Sequence, residues 1–281
     1  MSSKVTVERN QIRDRVVKQL DTPYDLDPAR VTSFAENGWV HLPGLLNAEE
    51  AGEIYAGLKE FGDLEVGSDE KWLVTEEYQQ VLRMQDGMAW EDQFFRNVAV
   101  SRRLSETALA LMGLDEAKFI LDMAFIKPAE KGKPTAFHQD WPYWPFDRQG
   151  ALTIWIALVD LPAESGTLQF LSGSHRAGPL GQFNRVPGDD IRNAYPSLSD
   201  DFPVAAGKAL KAGDATVHMD MTVHGSGPNE TEHERAAYTA RYLTPSARYT
   251  GSPHRHFDAM KMECGVEFGS VDAFPTVRRQ G

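Results

Sequence analysis

The chain has 281 residues, 41% of them apolar, and a formal charge of -12, enough to bury a core and far too acidic for a phosphate backbone. One cysteine, Cys264, excludes an internal disulfide, and no run reaches the ~18 apolar residues of a membrane span. A single-domain, soluble cytoplasmic protein with neither nucleic-acid nor membrane partners is therefore expected; oligomeric state stays open.

Residues 1–25 are polar and charged and read as an arm carrying at most a short helix, Val7 to Leu20. Asp27 and Pro28 supply an N-cap and a first-turn proline for a helix through Ala35, stopped by Gly38 ahead of the strand Trp39-Val40-His41-Leu42. Asn47 and Glu50 form a capping box for a helix from Ala48 to about Phe61, and a third helix runs from Ser101 to Met112 before Gly113. From Phe119 the texture changes to short apolar runs: Phe119 to Ile126, Leu152 to Val159, Thr167 to Leu171, Ala215 to Val223 and Ala236 to Leu243. Such a series without interleaved long helices predicts an antiparallel barrel, mainly β with flanking helices and a double-stranded β-helix core of the jelly-roll, cupin-like type. The Gly/Pro/Asn/Asp-rich stretch 177–207 exceeds an ordinary connection and reads as a lid insertion.

His138 and Asp140 are two positions apart, so an extended strand turns both side chains to one face. Two imidazoles and a carboxylate on one face leave three coordination positions open, the arrangement of non-haem Fe(II) oxygenases. His218 and His224 compete for the third place, since His218, Asp220, Thr222 and His224 share one strand parity. His224 is preferred because its strand ends at a Gly-Ser-Gly-Pro-Asn turn, where a ligand is exposed at a barrel mouth; His218 then lies deeper, as a wall residue.

These residues resemble the phytanoyl-CoA dioxygenase family of Fe(II)/2-oxoglutarate oxygenases. The likeness runs from about Val31 to Leu243 through Phe34-Ala35-Glu36-Asn37-Gly38-Trp39-Val40, Lys127-Pro128, Phe137-His138-Gln139-Asp140, Trp155-Ile156-Ala157-Leu158, Gly166-Thr167-Leu168, Gly173-Ser174-His175-Arg176 and His224-Gly225-Ser226. It implies His138, Asp140 and His224 as iron ligands, with 2-oxoglutarate and O2 as co-substrates. Arg235, eleven residues past His224, would receive the distal carboxylate, with Arg241 the rival of equal parity; Ser226, Trp155, Met123 and Arg83 match other co-substrate positions. Arg83 stands where the family carries lysine.

The aromatic run after the ligands offers a rim for a largely apolar small molecule, so Phe137, Trp141, Tyr143 and Trp144 are the candidate substrate contacts. The insertion residues Phe183, Asn184, Arg185 and Arg192 and the tail His254-Arg255-His256-Phe257 are placed to close over the site. Acidity argues against an acyl-CoA substrate, and a metabolite or natural-product intermediate is preferred. The expected reaction oxidises, most simply hydroxylates, an unactivated C-H bond and releases succinate and CO2. Desaturation, epimerisation and ring closure begin with the same hydrogen abstraction, and Asp140 argues against a halogenase, in which a halide takes the carboxylate's place. The competing readings are a zinc-dependent hydrolase on the same barrel and a catalytically silent metal-binding module.

Overall fold

A computed structural model describes residues 2–61, 82–130, 132–182 and 189–280 of the chain. The amino-terminal segment is more than an arm: α1 runs over Ser2–Leu20 and buries Val16 and Leu20 completely. Arg13 pairs with Glu53 and Glu60 at 3.3 and 2.8 Å and ties α1 to a later helix. So few apolar positions among charged ones conceal such a docked helix from periodicity alone.

Helix α2, Pro28–Asn37, begins where Asp27 accepts the Ala29 N-H at 2.9 Å. It ends at Gly38, whose φ of 75° is left-handed and whose N-H reaches the Phe34 carbonyl. Helix α3, Ala48–Phe61, opens on the reciprocal box, with Asn47 N donating to Glu50 at 2.8 Å and Glu50 N donating to Asn47 at 2.9 Å. Helices α4 (Met88–Glu91) and α5 (Gln93–Ala99) are not among those expected from the sequence. α6 spans Arg102–Met112.

The strands are antiparallel and form two sheets. The larger joins β1 (Trp39–Leu42), β2 (Arg83–Asp86), β3 (Glu116–Lys127), β5 (Ala151–Ala157), β8 (Ala215–Met219), β10 (Arg235–Leu243) and β11 (Thr276–Arg278), in the order β1-β8-β5-β10-β3-β11 with β2 also on β3. The smaller is β4 (Thr135–His138), β9 (His224–Ser226), β6 (Leu168–Leu171) and β7 (Val204–Ala205), in that order. Trp39 of β1 stacks on Phe170 of β6 at 4.7 Å between ring centroids, linking the two.

Alternation along the large sheet sorts its side chains. Ile154, Ile156, Val217, Ala236, Tyr238 and Tyr242 face the helices and pack with Phe34, Ile54, Leu58, Phe95 and Leu104. The intervening positions, Lys127, Thr153, Trp155, His218, Arg235, Thr239 and Arg241, fall on the inner face and are buried although mostly polar. The expected strand from Ala215 to Val223 is in fact broken. β8 stops at Met219 because Asp220 turns its carboxylate onto the Gly150 and Ala151 N-H groups at 3.1 and 3.0 Å, and the chain re-emerges as β9 in the other sheet. Among the described residues no helix is long and apolar enough to cross a membrane.

Candidate active site

β4 and β9 pair so that His138 lies directly opposite His224. The loop after β4 is pinned by the Asp220 carbonyl, which accepts the Asp140 and Trp141 N-H groups, each at 2.9 Å. His138, Asp140 and His224 thereby converge, with one ligand atom from each lying within 4.8 Å of the others and all three residues buried. Asp140 Oδ1 lies 3.7 Å from His138 Nε2 and 3.9 Å from His224 Nε2.

The imidazoles are already oriented for a metal. His138 Nδ1 meets the Ala136 carbonyl at 2.8 Å and His224 Nδ1 the Thr222 carbonyl at 2.9 Å. A carbonyl only accepts, so each Nδ1 carries the proton and each Nε2 presents its lone pair to the shared space. Burial, reinforced by His218 and His138, holds His224 well below the usual imidazole range, so it is neutral as a ligand must be. Burial alone would raise Asp140, but the Arg241 guanidinium, with the His138, His218 and His224 rings around it, keeps its carboxyl well below the ordinary range.

The outer oxygen of Asp140 belongs to other groups. Arg241 donates Nη2 to Oδ2 at 2.7 Å and Nε to Thr153 Oγ1 at 3.0 Å. His218 Nε2 stands 3.5 Å from the same oxygen, a wall residue at depth rather than a member of the converging set. Trp144 covers Arg241, 4.3 Å from guanidinium carbon to ring centroid. Arg241 is thus engaged with the Asp140 carboxylate.

A second polar cluster lies along the inner face. Arg235 pairs in register with Lys127 of β3, both are buried, and the guanidinium carbon sits 5.4 Å from the Trp155 ring centroid. Lys127 donates to Ser226 Oγ and to the Gly227 carbonyl, each at 2.7 Å. Burial and the neighbouring Arg235 push the Lys127 ammonium well below its usual range. Two adjacent buried cations suit an anion that neutralises them. The structure thus brings together Arg235, Ser226 and Trp155, and adds Lys127 of the Lys127-Pro128 motif, whose parity with Met123 and Phe125 is the sequence signal for its place. Met123 is half-buried on the same face, in register with Thr239.

Two expected residues fall elsewhere. Arg83 is exposed and pairs with Ile126, which packs on the helix side, so its side chain leaves the inner face; it borders an outer cleft of about 570 Å³ with Glu232 and Glu234. The register of β2 decides this, sending Met84 and Asp86 inward instead. Phe137 alternates with His138 and so joins Leu171, Ile191, Leu198 and Val223 on the far side, under Arg192 at 3.8 Å. Tyr143 stands edge-on to His138 at 6.1 Å, and Trp141 and Tyr143 are half-buried, as is Trp144 over Arg241. The described part of the insertion packs on this far side too, while Gln139 binds Gly178 and Leu180; Phe183, Asn184 and Arg185 lie outside the described residues.

Comparison with known proteins agrees with this geometry. A family model described as phytanoyl-CoA dioxygenase matches residues 34–237. A probable alpha-ketoglutarate-dependent hypophosphite dioxygenase of Stutzerimonas stutzeri is 24% identical over 223 residues, 76% of this chain and 77% of its own. A phytanoyl-CoA dioxygenase domain-containing protein 1 of Mus musculus is 28% identical over 58% of this chain, and the match spans only 56% of that relative. Among solved structures, the non-heme alpha-ketoglutarate-dependent carbocyclase SnoK from nogalamycin biosynthesis superposes with a TM-score of 0.77 at 25% identity, covering 91% of this chain and 99% of that one. The epimerase SnoN, in complex with Fe3+, alpha-ketoglutarate and nogalamycin RO, gives 0.72 at 28%, covering 90% and 100%. These relatives favour neither the zinc hydrolase nor the silent module.

Proposed function

The chain belongs to the phytanoyl-CoA dioxygenase family of iron- and 2-oxoglutarate-dependent enzymes, and we propose that it oxidises an unactivated C-H bond of a small, largely apolar, ring-bearing metabolite or natural-product intermediate. The observation that carries this reading is the convergence of His138, Asp140 and His224 with both Nε2 lone pairs turned to one space. When bound there, ferrous iron with 2-oxoglutarate and O2 supplies the oxidising power that removes a hydrogen atom from carbon, succinate and CO2 being the co-products.

The residues of the chain account for the rest. Ser226 stands two positions past His224 on one face of β9, about 7 Å away along the strand, a span comparable with a five-carbon diacid. Arg235, with Lys127 and Ser226 beside it, is the anchor for the far carboxylate, and Trp155 is the wall along its chain. Arg241 already serves Asp140, which leaves Arg235 as the better-placed fork. Met123 lines the same face, and Trp141, Tyr143 and Trp144 form the rim that excludes water and receives the substrate. Hydroxylation is the simplest outcome, though ring closure and epimerisation can begin from the same abstraction, and the link of the carbocyclase and epimerase to nogalamycin favours a natural-product substrate over an acyl-CoA.

The test is anaerobic titration of the apoprotein with ferrous iron and then 2-oxoglutarate. The charge-transfer absorption of the bound keto acid should saturate at one equivalent, and its absence with iron bound would refute the assignment.

A further inference from the structure

Beyond the residues used above, one carboxylate–imidazole pair lies toward the inner face without a part in holding iron or the diacid. Asp86 ends β2 and pairs in register with Met123, which pairs in turn with Thr239 and, across β10, with Trp155. Directly opposed residues share a face, so Asp86 belongs to the row beside that of Arg241, Thr153 and His218. His256, from the carboxy-terminal segment, reaches it with Nε2 3.2 Å from Asp86 Oδ2, and the two side chains are 18% and 12% exposed.

The pair lies at the open edge of a packed cluster, where Met123, Trp90 and Trp144 stay partly exposed against Phe146, Phe257 and Phe268. In β3 from Ala117 onward only Met123 and Phe125 are half-exposed, and both are inner-face residues of a strand flanked on each side by another. Solvent reaches them only through an open space above the sheet. Rings border that space near the pair: Trp90 meets His256 edge-on at 5.1 Å, and His254 stacks on Trp144 at 4.9 Å, the ring that covers Arg241. Trp90 Nε1 and His254 Nδ1 are buried and have no hydrogen-bond partner among the described residues. Buried polar atoms find partners in native structures, so two orphans beside one carboxylate–imidazole pair call for a third party. Burial, with His256 and Arg241, pushes His254 down to about 3, so at neutral pH it is an uncharged imidazole able to donate or accept.

We propose that Asp86 and His256, with Trp90 and His254 beside them, form a polar subsite that recognises a hydroxyl on a ring of the organic substrate. An apolar chamber with a few convergent polar groups orients its ligand in this way, the aromatic rings taking the ring face and the carboxylate-held imidazole the hydroxyl. The inference rests on the oxygenase reading for the word substrate, but the subsite can be read without turnover.

The experiment uses isothermal titration calorimetry of the full chain, loaded anaerobically with ferrous iron and 2-oxoglutarate, against 2-naphthol and 2-methoxynaphthalene. These share a ring system and differ in the hydroxyl donor. The wild type should bind 2-naphthol at least about tenfold more tightly, and both Asp86→Asn and His256→Phe should bring the ratio to within about twofold. A ratio near one in the wild type overturns the proposal, as does a ratio that survives in both variants. The two substitutions lie on separate elements, so a folding defect in one leaves the other to decide. Iron and 2-oxoglutarate titrations of the same samples report on the oxygenase reading separately: their failure with naphthol discrimination intact would remove that reading and leave the subsite.

Discussion

Arg241 and Asp140 are joined by a 2.7 Å contact between Nη2 and Oδ2, made on the side of the carboxylate away from the two imidazoles. The contact divides the carboxylate: Oδ1 faces His138 and His224, and Oδ2 is spent on the guanidinium. Groups that orient metal ligands typically contribute about 10- to 100-fold in metal affinity. Arg241→Met should therefore weaken ferrous binding by about that factor, measured by anaerobic competition with a chromogenic chelator. Arg241→Lys should restore only part of it, since an ammonium cannot hold Asp140 and Thr153 in the planar fork that Arg241 uses. Wild-type affinity in Arg241→Met would mean that the carboxylate needs no such hold.

Arg235 supplies the complementary prediction. A charge-assisted hydrogen bond contributes about 1.5 to 3 kcal/mol, so Arg235→Met should raise the dissociation constant for 2-oxoglutarate roughly 10- to 100-fold with iron affinity unchanged. Lys127→Met should have a smaller effect in the same direction, because Nζ is already shared between Ser226 and Gly227. Calorimetry with the manganese-loaded protein separates the two. Should Arg241→Met rather than Arg235→Met lose the diacid, the roles of the two arginines are reversed.

Much of this is legible in the sequence alone, and the exceptions have identifiable causes. The caps at Asp27 and Asn47 and the stops at Gly38 and Gly113 are local chemistry, so the helices they bound were readable. The spacing of His138 and Asp140 marks the site, but not by strand alternation: β4 ends at His138, and Asp140 sits in the helical turn beyond it, placed by the Asp220 carbonyl. What escaped was whatever depends on partners distant in sequence. The face of Arg83 follows from the register of β2 on β3, the hold of Arg241 on Asp140 bridges 101 residues, and the break after Met219 is set by Asp220 binding backbone at Gly150 and Ala151. Phe137 is different: alternation next to His138 already predicted its outward face, and the aromatic run drew it into the rim instead.

Gly225 lies between His224 and Ser226 in β9, and the space around it is already taken. A Cβ there would sit 2.8 Å from the Thr135 carbonyl oxygen and 2.8 Å from Phe137 Cδ2. Backbone cannot yield as a flexible side chain does, so Gly225→Ala should push β9 from β4 and draw His224 away from His138. Iron affinity should fall at least about tenfold, with thermal stability lowered by an amount in the roughly 1 to 3 kcal/mol range of overpacked sites. Unchanged iron binding would show that the two strands adjust without moving the imidazoles.

Asp122 carries a prediction for stability against pH. It is completely buried, accepting the Ala89 N-H at 3.0 and 3.1 Å and the Tyr238 hydroxyl at 3.0 Å, and burial raises its carboxyl to about 7. In the unfolded chain the same group titrates near about 3.9. The folded state therefore holds its proton more tightly. The associated stability is complete below about pH 4 and is lost as pH rises through about 7. Asp122→Asn lacks this proton, so the stability of wild type relative to the variant should fall between pH 5 and pH 8 by on the order of 2 to 4 kcal/mol. Urea unfolding of both apoproteins at the two pH values measures it. A difference that stays constant, or grows with pH, would place Asp122 in the fold as a stable carboxylate, its charge met by the Ala89 N-H and the Tyr238 hydroxyl.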